Sequence, residues 1–206
     1  MLITIYYIIS FIVLIKAAIV LGRKKSSSQD YFFFFLFMNF GVDFLSELDI
    51  ITSKSIQYNY LNVFNIFYFT CFYYLNVKSK RLVLGMLVIT VIGIFFNPGL
   101  FYLDKYSLSF ALLYCTTNII QVLYWYKYKL NNINESKITD DPAFWISSSI
   151  LLWSCFFIFR TTPMYLLNEI DKPFLHLLKQ LLNVINIISC VLFYIALHKY
   201  NMMNKK

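Results

Sequence analysis

The chain has 206 residues, of which 60% are hydrophobic, 20% are aromatic and only 14% are charged. Soluble globular domains carry about a quarter charged residues, so this composition excludes an ordinary water-soluble protein and makes lipid the expected solvent for most of the surface. The formal net charge of +8 resides in short clusters between apolar segments rather than on one basic face. Direct binding of nucleic acid is therefore not expected.

Apolar segments of similar length follow one another along the whole chain. A bilayer core about 30 Å thick needs about 20 mainly apolar residues per helix. Seven segments fit that requirement, at about residues 2–22, 31–48, 58–77, 82–97, 106–126, 143–163 and 174–197. The expected fold class is all-α, a polytopic membrane helix bundle with seven transmembrane helices in a single domain over residues 1–206.

Basic residues alternate between the two sides of this arrangement. One side holds Lys54, Lys105 and Lys172. The other side holds the following larger set: Arg23, Lys24, Lys25, Lys78, Lys80, Arg81, Lys127, Lys129, Lys137, Lys199, Lys205 and Lys206. Because short cytoplasmic loops retain Lys and Arg, the alternation predicts a multi-pass protein of the cell (inner) membrane, with the N-terminus outside and the C-terminus in the cytoplasm.

Polar residues inside the segments recur at helical spacing, which places them on shared helix faces. The second segment has Asn39, Asp43 and Glu47, and the fifth has Asn118 and Gln121. Unpaired polar groups are costly in hydrocarbon, so such faces should meet each other or line a wet cavity. The predicted ligand-binding residues, in a polar chamber open to the outside, are Asn39, Asp43, Glu47, Asn62, Asn65, Arg160, His176, Lys179 and Asn183.

Two interpretations of this chamber stay open. In the first, Asp43 and Glu47 lie opposite Arg160 and Lys179 and hold a small polar ligand or ion. In the second, salt bridges and asparagine hydrogen bonds lock the helices together, at about 0.6 kcal/mol each. The asparagines alone favour the locking interpretation.

Residues for enzymatic chemistry are scarce in this sequence. His176 and His198, the only histidines, fall at opposite ends of the last segment, so a metal site is not expected. The five glycines form no phosphate-binding loop. Four cysteines, each in its own apolar segment, are expected to be buried, reduced thiols: Cys71, Cys115, Cys155 and Cys190. A non-enzymatic protein without a cofactor is therefore expected.

The third and seventh segments share a local sequence pattern. Leu-Asn-Val-Phe-Asn-Ile at 61–66 is matched by Leu-Asn-Val-Ile-Asn-Ile at 182–187, and the same offset pairs Lys78 with Lys199. Both helices are expected to run from outside to inside, so they would be equivalent helices of two parallel repeats in a 3+1+3 architecture. Chance similarity in a chain rich in Phe, Tyr, Asn and Ile is the alternative.

The sequence resembles known families in architecture and style. Helix number, orientation and the parallel pattern resemble the 3+1+3 transporters of the sugar-transporting SWEET and vitamin-transporting PnuC types, although no Pro-Gln pair occurs. The runs Asn-Val-Phe-Asn-Ile at 62–66 and Pro-Ala-Phe-Trp-Ile at 142–146 resemble small seven-helix membrane proteins of Bacteroidota-type bacteria. In size and style the chain is also similar to the multispanning accessory protein of type VI-B CRISPR systems.

Three functional classes follow from these observations. The favoured class is a regulatory or sensory membrane protein that reads a ligand from outside or modulates a cytoplasmic partner through the basic loops near 23–25, 78–81 and 127–137. The second is a small-solute transporter that uses the polar chamber; few glycines and prolines inside the helices disfavour it, because transporter sites are often built from broken helices. An intramembrane enzyme is third.

Overall fold

The apolar segments form helices throughout the computed structural model, which describes residues 2–21, 32–48, 50, 54–78, 80–96, 106–132, 137–167 and 172–203. The helices are α1 (Leu2–Leu21), α2 (Phe32–Glu47), α3 (Lys54–Asn76), α4 (Lys80–Phe95), α5 (Leu108–Asn131), α6 (Pro142–Leu167) and α7 (Lys172–Met203). A short 3-10 turn, Ile138–Asp140, precedes α6. No strand occurs among the described residues, which confirms the all-α fold class.

Helix ends differ from the predicted segments by a few residues. Helix α3 begins at Lys54 rather than near Tyr58, and α7 continues to Met203 rather than ending near Leu197. Hydropathy marks where a helix leaves hydrocarbon, but backbone hydrogen bonding carries the helix on into polar sequence. At the start of α5, Ser107 is the N-cap, and its side-chain oxygen accepts from the backbone N–H of Phe110.

Four of the described helices are long and apolar enough to cross a membrane: α1, α5, α6 over Pro142–Thr161, and α7. This result is compatible with a membrane protein. Helices α2 and α4 have 16 residues each, or about 24 Å of rise, somewhat less than a bilayer core. Helix α3 is 23 residues long but includes Asn59, Asn62 and Asn65 in its apolar run. Seven spans therefore stay a prediction.

The helices divide into two compact units, each described here by itself. In the first, the α2–α5 unit, α3 packs against α2, α4 and α5. Hydrogen bonds join Asn59 to Ser107 and Thr70 to Gln121, so α3 and α5 are parallel. Helix α4 is antiparallel to α5 and lies close to it at Gly93, where an added Cβ would be 3.1 Å from a methyl carbon of Leu113.

The second unit, the α1–α6–α7 unit, has its most extensive helix contact between α6 and α7. Trp153 donates its indole N–H to the Asn186 side chain at 3.0 Å. Near the 3-10 turn, Lys199 and Asp140 form an ion pair of 2.6 Å. These two contacts set α6 and α7 antiparallel. The prediction of one domain over the whole chain is not tested by this division into units.

None of the four cysteines forms a disulfide, as expected. Cys115 and Cys190 are buried, which agrees with the prediction. Cys71 and Cys155 are exposed on the protein, so the prediction of burial is wrong for these two. An apolar segment identifies a helix that prefers lipid, whereas it does not say which of its faces touches protein.

Candidate functional site

The best-defined polar contact within the α2–α5 unit joins α2 to α3. Asn39 donates from Nδ2 to Oδ1 of Asn65 at 3.1 Å, and Asn65 donates from Nδ2 to Oδ1 of Asn39 at 3.0 Å. Asn39 also donates to the backbone oxygen of Phe35 at 2.7 Å. Asn65 is only 3% exposed. Two amides that satisfy each other in this way fix the level at which the two helices meet.

A carboxylate lies one helical turn further along α2. Asp43 is half-buried and accepts a hydrogen bond of 3.1 Å from the Tyr58 hydroxyl. The next acidic residue, Glu47, is exposed. With a rise of about 1.5 Å per residue, Asp43 is about 6 Å along the helix from Asn39. The predicted acidic face therefore runs from the end of the unit towards the paired amides.

Helix α5 presents a polar face at the same level. Tyr114 is buried, and its hydroxyl faces the side chains of Asn65 and Asn118. Asn118 is 0% exposed, and neither its Nδ2 nor its Oδ1 has a hydrogen-bond partner. We call Asn39, Asn65, Tyr114 and Asn118 the amide cluster. It combines a self-satisfied pair with one fully buried amide that makes no hydrogen bond of good geometry and lies beside the Tyr114 hydroxyl.

The polar contacts continue in both directions from the amide cluster. Gln121 donates to Thr70 at 2.8 Å, while its side-chain oxygen makes no hydrogen bond. Towards the other end, Asn62 is 8% exposed and its Nδ2 also lacks a partner. A buried amide without a partner loses its hydration without compensation, which is uncommon in native proteins. Several such groups along one helix interface favour a site for hydrogen-bonding ligands or water.

The remaining predicted site residues belong to the α1–α6–α7 unit. On α7, His176 and Lys179 are exposed, and the Nε2 atoms of His176 and Gln180 are 2.9 Å apart. Asn183 and, on α6, Arg160 are half-buried. Asp43 belongs to the other unit, and its predicted pairing with Arg160 or Lys179 stays a prediction. The hydrogen bond from the Tyr58 hydroxyl to Asp43 was not predicted from the sequence.

The amide cluster also contains residues that were not predicted as site residues. The sequence places Asn118 on a polar face of the fifth segment but not in the predicted chamber, and it gives no prediction for Tyr114. The available signal was the spacing of Tyr114, Asn118, Gln121 and Trp125, at intervals of four, three and four, all on one buried face.

Within the part of the chain that the structure describes, no group of three or more His, Cys, Asp or Glu side chains could hold a metal ion.

Comparisons with known proteins add no relative to this description. No protein-family model matches the chain, and neither the curated proteins nor the solved structures give a match.

Proposed function

We propose that this protein crosses the cell membrane seven times, with its N-terminus outside and its C-terminus in the cytoplasm. Four helices of spanning length support the proposal. The charges of the α2–α5 unit support it too, because Lys78, Lys80 and Arg81 lie at the opposite end of this unit from Asp43 and Glu47. Among the basic residues used for the orientation, Arg23, Lys24, Lys25, Lys105, Lys205 and Lys206 lie outside the described residues.

This orientation is tested by cysteine labelling from outside intact cells. In a background with the four native cysteines replaced by serine, Ile50→Cys lies in a predicted outer loop and Lys137→Cys in a predicted inner loop; both positions are exposed. A membrane-impermeant maleimide should label the first variant in intact cells and the second only after permeabilisation. Equal labelling of both variants in intact cells would contradict the proposed topology.

We infer further that the protein is regulatory or sensory and binds a small polar ligand at the amide cluster. The observation that carries this proposal is Asn118, which is 0% exposed with both polar side-chain atoms unpartnered. Amides offer donors and acceptors together, and the carboxylate of Asp43 lies about one turn away, so the ligand class is a small molecule that donates and accepts hydrogen bonds. A ligand that contacts α2, α3 and α5 would change their packing, and a cytoplasmic partner would receive that change.

Asn118→Leu tests this site through two measurements. Loss of an unpartnered buried amide should raise the free energy of unfolding by about 1 kcal/mol. The same substitution removes the proposed ligand contact, so native mass spectrometry of protein taken gently from its own membranes should show a small bound compound on the wild type and little on the variant.

The matched control is Asn132→Leu, because Asn132 is exposed and donates to the Tyr128 carbonyl of its own helix. This variant should keep the bound compound. Equal retention by Asn118→Leu, or a wild type that carries no compound, would refute ligand binding at the amide cluster.

A small-solute transporter of the 3+1+3 type is the second candidate, and one observation favours it. Asn65 on α3 and Asn186 on α7, which correspond in the repeated pattern, each accept a hydrogen bond from the preceding antiparallel helix. The donors are Asn39 on α2 and Trp153 on α6. Uptake of the bound compound into proteoliposomes would select the transporter, whereas binding without uptake would select the sensor. A type VI-B CRISPR effector gene beside this gene would support the accessory-protein resemblance.

A further inference from the structure

The basic end of the α2–α5 unit is assembled from separate parts of the sequence. Helix α3 ends at Asn76 and α4 begins at Lys80, while α5, parallel to α3, ends at Asn131. This geometry places five cations at one end of the unit: Lys78, Lys80, Arg81, Lys127 and Lys129. The acidic residues described in this unit, Asp43 and Glu47, belong to the C-terminal part of α2, at the opposite end. We call these five cations the basic end.

Two aromatic rings, one in the last turn of α3 and one nearly two turns before the end of α5, contact cations of the basic end. The Lys80 ammonium is 4.9 Å from the centre of the Tyr74 ring, and the Lys129 ammonium is 5.7 Å from the centre of the Trp125 ring. Cation–π contacts of this kind are attractive. Tyr74 is half-buried and is of a residue type that prefers the boundary between hydrocarbon and headgroups, whereas Trp125 is buried within the unit. The charges are thereby kept beside the apolar part of the unit.

The local electrostatics of the basic end are unfavourable without an anion. Lys80 and Arg81 occupy the first turn of α4, which has no acidic residue. Cations at a helix N-terminus oppose the helix macrodipole, and like charges close together repel one another. Lys78, Lys80, Arg81 and Lys127 are also exposed. An anionic group at this surface would relieve both penalties.

We propose that the basic end binds the phosphate headgroups of anionic phospholipids in the adjoining leaflet. This inference rests on the membrane location proposed above, but not on the ligand at the amide cluster. Headgroup phosphates lie at the level where the helices leave hydrocarbon, which is the level of Tyr74 and of the exposed cations at this end of the unit. Clusters of four to eight Lys and Arg next to membrane helices bind anionic lipids in this way. Anionic lipid, rather than a soluble protein, is therefore the proposed occupant of this surface.

The test uses native mass spectrometry and thermal unfolding of the full chain, first in neutral phosphatidylcholine and then with added cardiolipin or phosphatidylglycerol. Cardiolipin should be retained by the wild type and should raise its unfolding temperature, whereas added phosphatidylcholine should not. Lys80→Gln with Arg81→Gln should reduce cardiolipin affinity by roughly 25-fold, at about fivefold per cation removed. Lys54→Gln with Lys172→Gln removes the same charge from the predicted outer side and should leave that affinity within about twofold of the wild type.

Each other outcome has a defined meaning. Equal affinity of the two double variants for cardiolipin would overturn the proposal. Displacement of the lipid by millimolar inorganic phosphate would overturn the proposal in favour of a site for free phosphate. If the Lys80→Gln, Arg81→Gln variant lost a soluble protein partner but bound lipid as the wild type does, the proposal would be overturned in favour of a protein-docking surface. A double variant that unfolds in phosphatidylcholine is replaced by Lys127→Gln with Lys129→Gln, for which the same reduction is expected. Failure of the wild type to insert into neutral liposomes would refute the membrane location instead.

Discussion

Replacing Ser149 by leucine is expected to lower the free energy of unfolding by about 1–3 kcal/mol, because the larger side chain overpacks the α6–α7 contact. Ser149 is 0% exposed, and its hydroxyl lies 3.3 Å from the backbone oxygen of Ser189 on α7. Such a close approach of a side chain to the neighbouring backbone requires a small residue. Small residues are the usual means by which membrane helices pack without a hydrophobic driving force between them.

A short series separates overpacking from loss of the hydrogen bond. Ser149→Ala removes the hydroxyl and should cost about 0.6 kcal/mol. Cys155→Leu adds a similar volume on the same helix at an exposed position, so it should change stability by less than about 0.5 kcal/mol. Reversible unfolding of the purified protein in mixed micelles of sodium dodecyl sulfate and a mild detergent provides the measurement. Equal destabilisation by Ser149→Leu and Cys155→Leu would show that α6 and α7 do not meet closely at Ser149.

The sequence was sufficient to predict which residues form helices, but not which face of each helix packs against the rest of the protein. Continuous apolar runs identified each of the seven α-helices that the structure describes, since lipid-compatible segments must satisfy their backbone groups internally. The buried and exposed faces were harder to predict, because lipid-facing and protein-facing side chains are both apolar. Cys71 and Cys190 illustrate this limit: each lies in an apolar run, but the first is exposed and the second is buried.

The candidate site shows a similar division between what spacing predicts and what requires coordinates. Helical spacing put Asn118 and Gln121 on one face, and both are buried. It did not give the level at which α5 meets α3, so it could not distinguish Gln121, which donates to Thr70, from Asn118, which has no partner. Tyrosine is a further difficulty, because hydropathy counts it as apolar although Tyr58 supplies the hydrogen bond to Asp43.

The amide pair of Asn39 and Asn65 should show strong energetic coupling when both are replaced by leucine. Either single substitution leaves a buried amide without its partner, so each should lower the free energy of unfolding by about 1–2 kcal/mol. The double variant replaces two mutually satisfied amides with two apolar side chains, and should be more stable than the sum of the single effects predicts by about 1 kcal/mol. Unfolding of the four proteins in mixed micelles closes the double-mutant cycle.

A distant asparagine provides the control for this cycle. Asn132 is exposed at the C-cap of α5, on the order of 20 Å along the unit from the amide pair, so Asn39→Leu and Asn132→Leu should be additive. If the effects of Asn39→Leu and Asn65→Leu on the free energy of unfolding were additive, the two amides would not stabilise the contact between α2 and α3 as a hydrogen-bonded pair. Together with Asn118→Leu, the cycle distinguishes the parts of the amide cluster: loss of the Asn39–Asn65 pair is expected to lower the free energy of unfolding, whereas loss of the Asn118 amide is expected to raise it.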